Sequence, residues 1–254
     1  MKKLPLLALL FAISISLTGC FDIVEEFTFN EDGSGSYVMK TDMHRLFEMF
    51  ASFKSDSTET KTDKKNVDST ASLSPYVDTA TALNAEEKKF FRNASLHVAA
   101  NEDEKKLFFE FVIPFKTQDE FIKFYNSTPK AFENFSSKEG NDSTSDPVMK
   151  GITPKGSFTS NSKFYDMKSS DGLFERKVRK EEMKSYFESD STMKALLPFI
   201  GNSYSTTIIH LPKAAKSVSN PYATLSDDKK TVTLKLPISD YTERPEALNL
   251  KIEY

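Results

Sequence analysis

The chain has little with which to cross-link itself or to carry out chemistry. Its 254 residues include one cysteine, no tryptophan, three histidines and eight glycines. One cysteine excludes an internal disulfide, so burial and hydrogen bonding must hold the fold. An excess of basic charge is missing too: 34 Lys and Arg stand against 37 Asp and Glu, a formal net charge of −3. Nucleic-acid binding rests on Lys and Arg at phosphates, and no basic stripe is present, so nucleic acid is not an expected partner. Beyond the first twenty residues no apolar run approaches the roughly 20 residues that a membrane-spanning helix needs. The sequence also lacks HExxH, GxSxG and a glycine-rich phosphate loop.

What is abundant is phenylalanine, with 22 Phe beside 9 Tyr. Aromatic side chains bury much apolar area each, so this enrichment reads first as packing and second as the lining of a cavity for an acyl chain or other apolar ligand.

The N-terminus has its own organisation. Lys2 and Lys3 precede an apolar run over residues 4–17, which is too short to span a bilayer and is followed by Thr18, Gly19 and Cys20. A basic start, a short apolar stretch and small residues at a cut site make residues 1–19 a signal peptide, cleaved between Gly19 and Cys20. Leu17-Thr18-Gly19-Cys20 resembles the lipobox of bacterial lipoproteins. That resemblance implies that Cys20 is diacylated on sulfur, becomes the first mature residue and usually gains a third acyl chain. Each buried acyl methylene contributes about 0.8 kcal/mol, and two or three chains anchor where one is marginal. The expected partner is therefore the membrane, reached through acyl chains on Cys20, and the expected location is the bacterial cell envelope. Phe21 stands where an aspartate would retain an enterobacterial lipoprotein in the inner membrane, which favours the outer membrane.

The mature chain, residues 20–254, reads as one α+β domain. From Ile23, apolar Ile23, Phe27 and Phe29 alternate with Val24, Glu26 and Thr28, the period of a strand. Asp32-Gly33 then supplies a hairpin turn and residues 36–41 return. Met43, Leu46, Phe47, Phe50 and Phe53 recur at helical spacing. Residues 54–75 break every period and read as a disordered insertion, as do residues 136–156. Asn84 and Glu87 form a capping pair for a short helix ending near Phe91. A second unit follows, with alternation at 96–100 and 107–113 and a helix through Phe121, Phe124 and Tyr125. Thr128-Pro129 reads as an N-cap and first position restarting that helix. A third unit comprises strands at 158–167 and 173–178, the turn Asp171-Gly172 between them, and a helix at 180–200 ending at Gly201. Strands at 204–211, 218–225, 232–236 and 248–252 close the chain. Three strand-turn-strand-helix units and a final β-meander predict an antiparallel sheet with helices on one face and the other face wet. The alternative is a barrel or sandwich with helices at its rim.

The order Cys20, first strand, Asp32-Gly33-Ser34-Gly35 hairpin, then Ile209-His210-Leu211-Pro212 and Ser226-Asp227-Asp228-Lys229-Lys230-Thr231-Val232-Thr233 resembles the LppM-type lipoprotein domain. The resemblance implies an envelope-anchored, non-enzymatic and lipid-related role.

Candidate catalytic groups do not converge. His44, His97 and His210 lie on a helix and two strands at no metal-ligand spacing. His97 shares a polar face with Ser95 and should be solvated, whereas His210 shares a face with Ile208 and Tyr204 and should be partly buried and satisfied. The acidic pairs Glu25-Glu26, Glu102-Asp103-Glu104, Asp119-Glu120, Glu181-Glu182 and Asp227-Asp228 lie mostly in turns and first helical turns, where acids are favoured anyway. No loop shows the alternating oxygens of a calcium site. The expectation is a non-enzymatic lipoprotein without cofactor, metal or catalytic residues, which binds an envelope protein or lipid. An apolar-ligand carrier and an unrecognised hydrolase are the alternatives.

Overall fold

The computed structural model describes residues 22–44, 66–101, 106–137, 161–189 and 203–254, with residues 104, 194 and 200 singly. Gly19, Cys20, the body of the helix expected after Met43, the Gly201 cap and most of both expected insertions lie outside these residues.

Alternation makes the first strand. In β1 (Asp22–Phe29) every second residue is buried, and β2 (Gly35–Asp42) returns beside it in antiparallel register. The turn between them needs a positive φ at Gly33, +83°, and is tightened by Asp32, whose Oδ1 accepts from the Ser34 amide at 2.9 Å. The second unit is β4 (Ser95–Asn101) and β5 (Lys106–Phe115), which extends the same sheet through β2. In the third unit, β6 (Tyr165–Ser170) and β7 (Leu173–Val178) turn tightly at Asp171-Gly172, where Gly172 has a φ of +79°. All three expected hairpins form.

The class is α+β, but the sheet is not one, and it is not wholly antiparallel. Eight strands run β10-β11-β8-β1-β2-β5-β4-β3, with β3 at Val67–Ser72, β8 at Tyr204–His210, β10 at Ala223–Leu225 and β11 at Thr231–Pro237. A second sheet runs β6-β7-β12-β9, with β9 at Ser217–Val218 and β12 at Leu250–Glu253. β8 lies parallel to β1, joining the two ends of the chain at the centre of the large sheet. The expected closing meander is therefore divided, and residues 218–225 form two short strands in different sheets. Alternation reports which side of a strand is buried and is silent on strand direction and partner.

Other expectations are corrected locally. Residues 67–72 of the supposed insertion pair with β4 as an edge strand. Their Asp, Ser and Thr side chains suit an edge, where charged and polar groups deter further pairing. Helix α1 (Ser74–Thr79) follows at once, and α2 (Ala85–Phe91) begins with the expected Asn84/Glu87 capping box. Helix α3 (Gln118–Ser137) runs through Pro129 without restarting. Its apolar face of Phe121, Phe124, Tyr125 and Ala131 is buried on both sides of the proline, and the Thr128 hydroxyl donates to the Phe124 carbonyl at 3.0 Å. Packing outweighs the one amide that proline lacks. Residues 161–164 form a 3-10 turn ahead of β6, and α4 is described over Lys180–Ser189. Between β11 and β12 come a short helix α5 (Asp240–Glu243) and a 3-10 turn at Pro245–Leu248.

The core lies between the inner face of the large sheet, the helices and the small sheet. Phe27 of β1 meets Phe121 of α3 at 5.7 Å between ring centres and Phe174 of β7 at 5.5 Å, while Phe91 of α2 meets Phe124 of α3 at 5.1 Å. The outer face of the large sheet carries Val24, Glu26, Thr28, Lys40 and His210, all partly exposed, which is the wet face that the alternation predicts.

Gly35 of β2 is paired with Phe29 of β1 on one side and Phe115 of β5 on the other. A Cβ there would collide with the Thr28 carbonyl oxygen and with the Phe115 ring. Gly35→Ala is expected to lower stability by about 1–3 kcal/mol, seen as a lower urea midpoint at unchanged slope.

Candidate functional site

The convergence of titratable groups that the sequence reading did not name is in the core. Glu25 of β1 falls on the same face as Ile23 and Phe27, and Arg176 of β7 on the same face as Phe174 and Val178, so both point inward. Each is 1% exposed. Arg176 Nη1 donates to Glu25 Oε2 at 2.8 Å and Nη2 to Thr207 Oγ1 of β8 at 2.6 Å. The second carboxylate oxygen accepts from the Tyr37 hydroxyl of β2 at 2.9 Å. The guanidinium lies 4.5 Å from the centre of the Tyr165 ring of β6. Tyr125 of α3 and Tyr241 of α5 complete the cluster, the latter donating to Ser205 Oγ at 2.9 Å. Arg176 Nε and the Tyr125 hydroxyl are buried without a well-formed hydrogen bond among the described residues.

Sealing these groups from water moves their titration. Burial, then the charge of Glu25, pushes the Tyr37 and Tyr125 phenols well above their ordinary value, and burial and Tyr241 do the same to Tyr165. Tyr241 is pushed up to about 12, by burial first and Glu25 second. Burial alone would lower the Arg176 pKa, but Tyr165 and Glu25 outweigh it and raise it. An ion pair taken out of water survives when its geometry and remaining hydrogen bonds are good, and most of those conditions are met here.

On the outer face a second set of charges runs across the large sheet. His210 Nδ1 lies 3.2 Å from Thr231 Oγ1 and its Nε2 lies 2.8 Å from Glu26 Oε1. Glu26 Oε2 is 3.4 Å from Lys40 Nζ, which is 3.9 Å from Glu110. Glu110 stands opposite His97 in register, and His97 Nε2 is 2.8 Å from Asp68 Oδ1. That hydrogen bond holds the Asp68 carboxyl below its usual range. His210 is thus partly buried and satisfied, as expected, and His97 is paired across to the edge strand as well as wetted. His44 pairs locally with Asp42 at 2.8 Å.

Of the acidic clusters, Glu102 and Asp103 lie outside the described residues, and several of the others are engaged separately. Glu25 and Glu26 point to opposite faces of β1. Asp119 pairs with Lys123, and Glu120 accepts from the Lys116 amide ahead of α3. Asp228 closes the β10-β11 turn by accepting from Ser226 and the Lys230 amide. Among the described residues no three His, Cys, Asp or Glu side chains are placed to share a metal ion. A cleft of about 500 Å³ lies between α3 and the start of β6, lined by Asn126, Ser162, Lys163, Asp166, Lys168 and Arg179 among others. Its cations are engaged: Arg179 bonds Asp166 at 2.9 Å, Lys168 lies 3.7 Å from Glu175, and Lys163 sits 3.9 Å over the Tyr186 ring.

Two outcomes follow for the buried cluster. Arg176→Met leaves the buried Glu25 carboxyl without its cationic partner, and should cost about 3–5 kcal/mol in urea unfolding, whereas Arg176→Met with Glu25→Leu should recover most of that loss. The phenols of the cluster are held above their unfolded value near 10, so their contribution is complete below pH 10 and is lost as pH rises through their raised values, which for Tyr241 is about 12. Phenolate absorbance should accordingly show the exposed tyrosines titrating first and the buried ones together with loss of near-ultraviolet circular dichroism.

No family model and no curated protein matches the chain. Among solved structures it is similar to the folded domain of LppM from Mycobacterium tuberculosis, determined by NMR, at 10% identity and a TM-score of 0.38, with 93% of this chain and 92% of that one covered. A likeness at that score carries no argument about function.

Proposed function

We propose that this chain is a lipid-anchored, non-enzymatic protein of the bacterial cell envelope, held by acyl chains on Cys20 and acting through binding. The observation that carries the reading is the Leu17-Thr18-Gly19-Cys20 stretch, set between a basic, apolar leader and a folded domain whose first strand begins at Asp22. Phe21, in place of an aspartate, adds a preference for the outer membrane. A binding role is supported by where the reactive groups are. The strongest cluster, around Arg176 and Glu25, is buried, and the three histidines each pair with a different carboxylate. The phenylalanines of the core meet ring to ring, which supports packing over an apolar cavity. No described helix is long and apolar enough to cross a membrane, so an anchor at Cys20 accounts for attachment without one.

Cys20→Ser removes the sulfur that would be acylated. The variant is expected to leave the membrane fraction, and its retention there after a carbonate wash would show that another element anchors the protein. Mass spectrometry of the wild-type N-terminal peptide should show the mass of two or three acyl chains.

A further inference from the structure

We infer that the end of the large sheet where β1 starts is a membrane-contact surface, which meets the lipid headgroups edge-on while the Asp32-Gly33 hairpin points away from the bilayer. The inference rests on the anchor reading and adds an orientation and a contact surface to it. Cys20 precedes Asp22 by two residues, which span about 7 Å at full extension. The acyl chains are therefore attached within that distance of the first residue of β1. β1 is no loose arm: it lies inside the sheet between β8 and β2 and is paired along its length from Asp22 to Phe29. Its first residue is fixed again by the Tyr204 amide, which donates to Asp22 Oδ1 at 3.1 Å. A rigid eight-stranded body on so short a leash must present its Asp22 end to the bilayer.

The register says what else stands at that end. β8 runs parallel to β1 and so begins there with Tyr204, β2 ends there with Asp42, β5 begins there with Lys106, Leu107 and Phe108, and β11 ends there with Pro237. Tyr204 and Phe108 are only partly covered, and Lys106 is exposed. The ammonium of Lys235 lies 4.3 Å from the centre of the Tyr204 ring. Rings with a polar tip or a neighbouring lysine are the side chains that settle at the level of headgroups, where the apolar part is shielded and the charge stays wet. Asp22 and Asp42 share this end with Lys106 and Lys235, so its charge is mixed and the contact needs no strongly anionic lipid. The opposite end is far away: eight residues of β1, at about 3.3 Å each, put the Asp32-Gly33 turn roughly 25 Å farther out, beyond a Debye length of the surface.

The scarcity of cysteine supplies the test. Once Cys20 is acylated, a thiol introduced elsewhere is the only one free to react. Lys106→Cys at the proposed contact and Glu31→Cys at the hairpin, both exposed positions, are purified from membranes as the acylated protein and labelled with an environment-sensitive fluorophore. They are then reconstituted into vesicles of phosphatidylethanolamine with a minor fraction of phosphatidylglycerol and a headgroup-spin-labelled lipid. The label at 106 should be quenched several-fold more than the label at 31, and largely independently of salt. Equal quenching at the two sites, stronger quenching at 31, or no quenching at either while the protein still floats with the vesicles would overturn the orientation. A protein that carries no acyl chains and fails to float would overturn the anchor reading, and the orientation with it.

Discussion

The contact between Arg176 and the Glu25–Thr207 pair fixes how the two halves of the chain meet. Glu25 and Thr207 are direct register partners across the parallel β1-β8 pair, and one guanidinium from the other sheet bonds both. Sliding β8 by one residue would turn its buried face outward, so alternation already forbids that error. Sliding it by two would keep every apolar residue inward, and hydrophobic burial hardly distinguishes the two registers. The Arg176–Thr207 bond does distinguish the native register from the slip that brings Ile209 opposite Glu25, because that slip takes the hydroxyl out of reach and leaves part of a buried charge unsatisfied. Net stability is not its obvious benefit, since a well-packed apolar replacement can do as well. Its effect is to select one register and to tie that register to the placement of the small sheet.

Such a device suits a domain that has no covalent staple. With one cysteine in the chain, only noncovalent contacts join β1 to β8 and β12. The aromatic core meets this need through interlocking rings: Phe27 alone touches Tyr37, Phe121, Tyr125 and Phe174, which come from three further elements in two sheets and a helix. Edge and tilted ring contacts add direction to burial. Directional packing and a register-selecting hydrogen-bonded ion pair together do what disulfides do in small cross-linked domains.

Much of the fold was legible in the sequence, and the reasons are local. The three hairpins are marked by alternation interrupted at Asp32-Gly33, between the runs at 96–100 and 107–113, and at Asp171-Gly172, and the α2 cap is marked by Asn84 and Glu87. What escaped was non-local. Nothing in residues 204–210 states that their neighbour is β1 or that the two run parallel. Residues 67–72 read as disordered because an edge strand needs few apolar side chains. Pro129 read as a restart because the packing that carries α3 across it is tertiary. The buried cluster could have been found by parity, since Glu25 occupies an inward position between Ile23 and Phe27, and Arg176 one between Phe174 and Val178. Charged residues at core positions of a strand are the signal, and the adjacent Glu26 masks it by making Glu25 look like half of an acidic pair.

A sealed interior moves the question of function to the surface, and the sheet divides that surface in a useful way. The inner face is consumed by the core, so the binding surfaces left to the large sheet are its two ends and its outer face. On the outer face the ladder from His210 through Glu26, Lys40 and Glu110 to His97 and Asp68 pairs most of its charges internally. Paired surface charges contribute little to stability, about 0–1 kcal/mol each, but they leave few unpaired groups for a strongly charged partner to attract. If the Asp22 end meets lipid, the strands rise from the bilayer and this balanced face stands as a wall above the headgroups. Partners would then reach it from the side, and the hairpin end from above. A partner that binds the wall must match its shape and its apolar Val24, Val38, Ile208 and Val112 as much as its charge, because the charge is already spoken for.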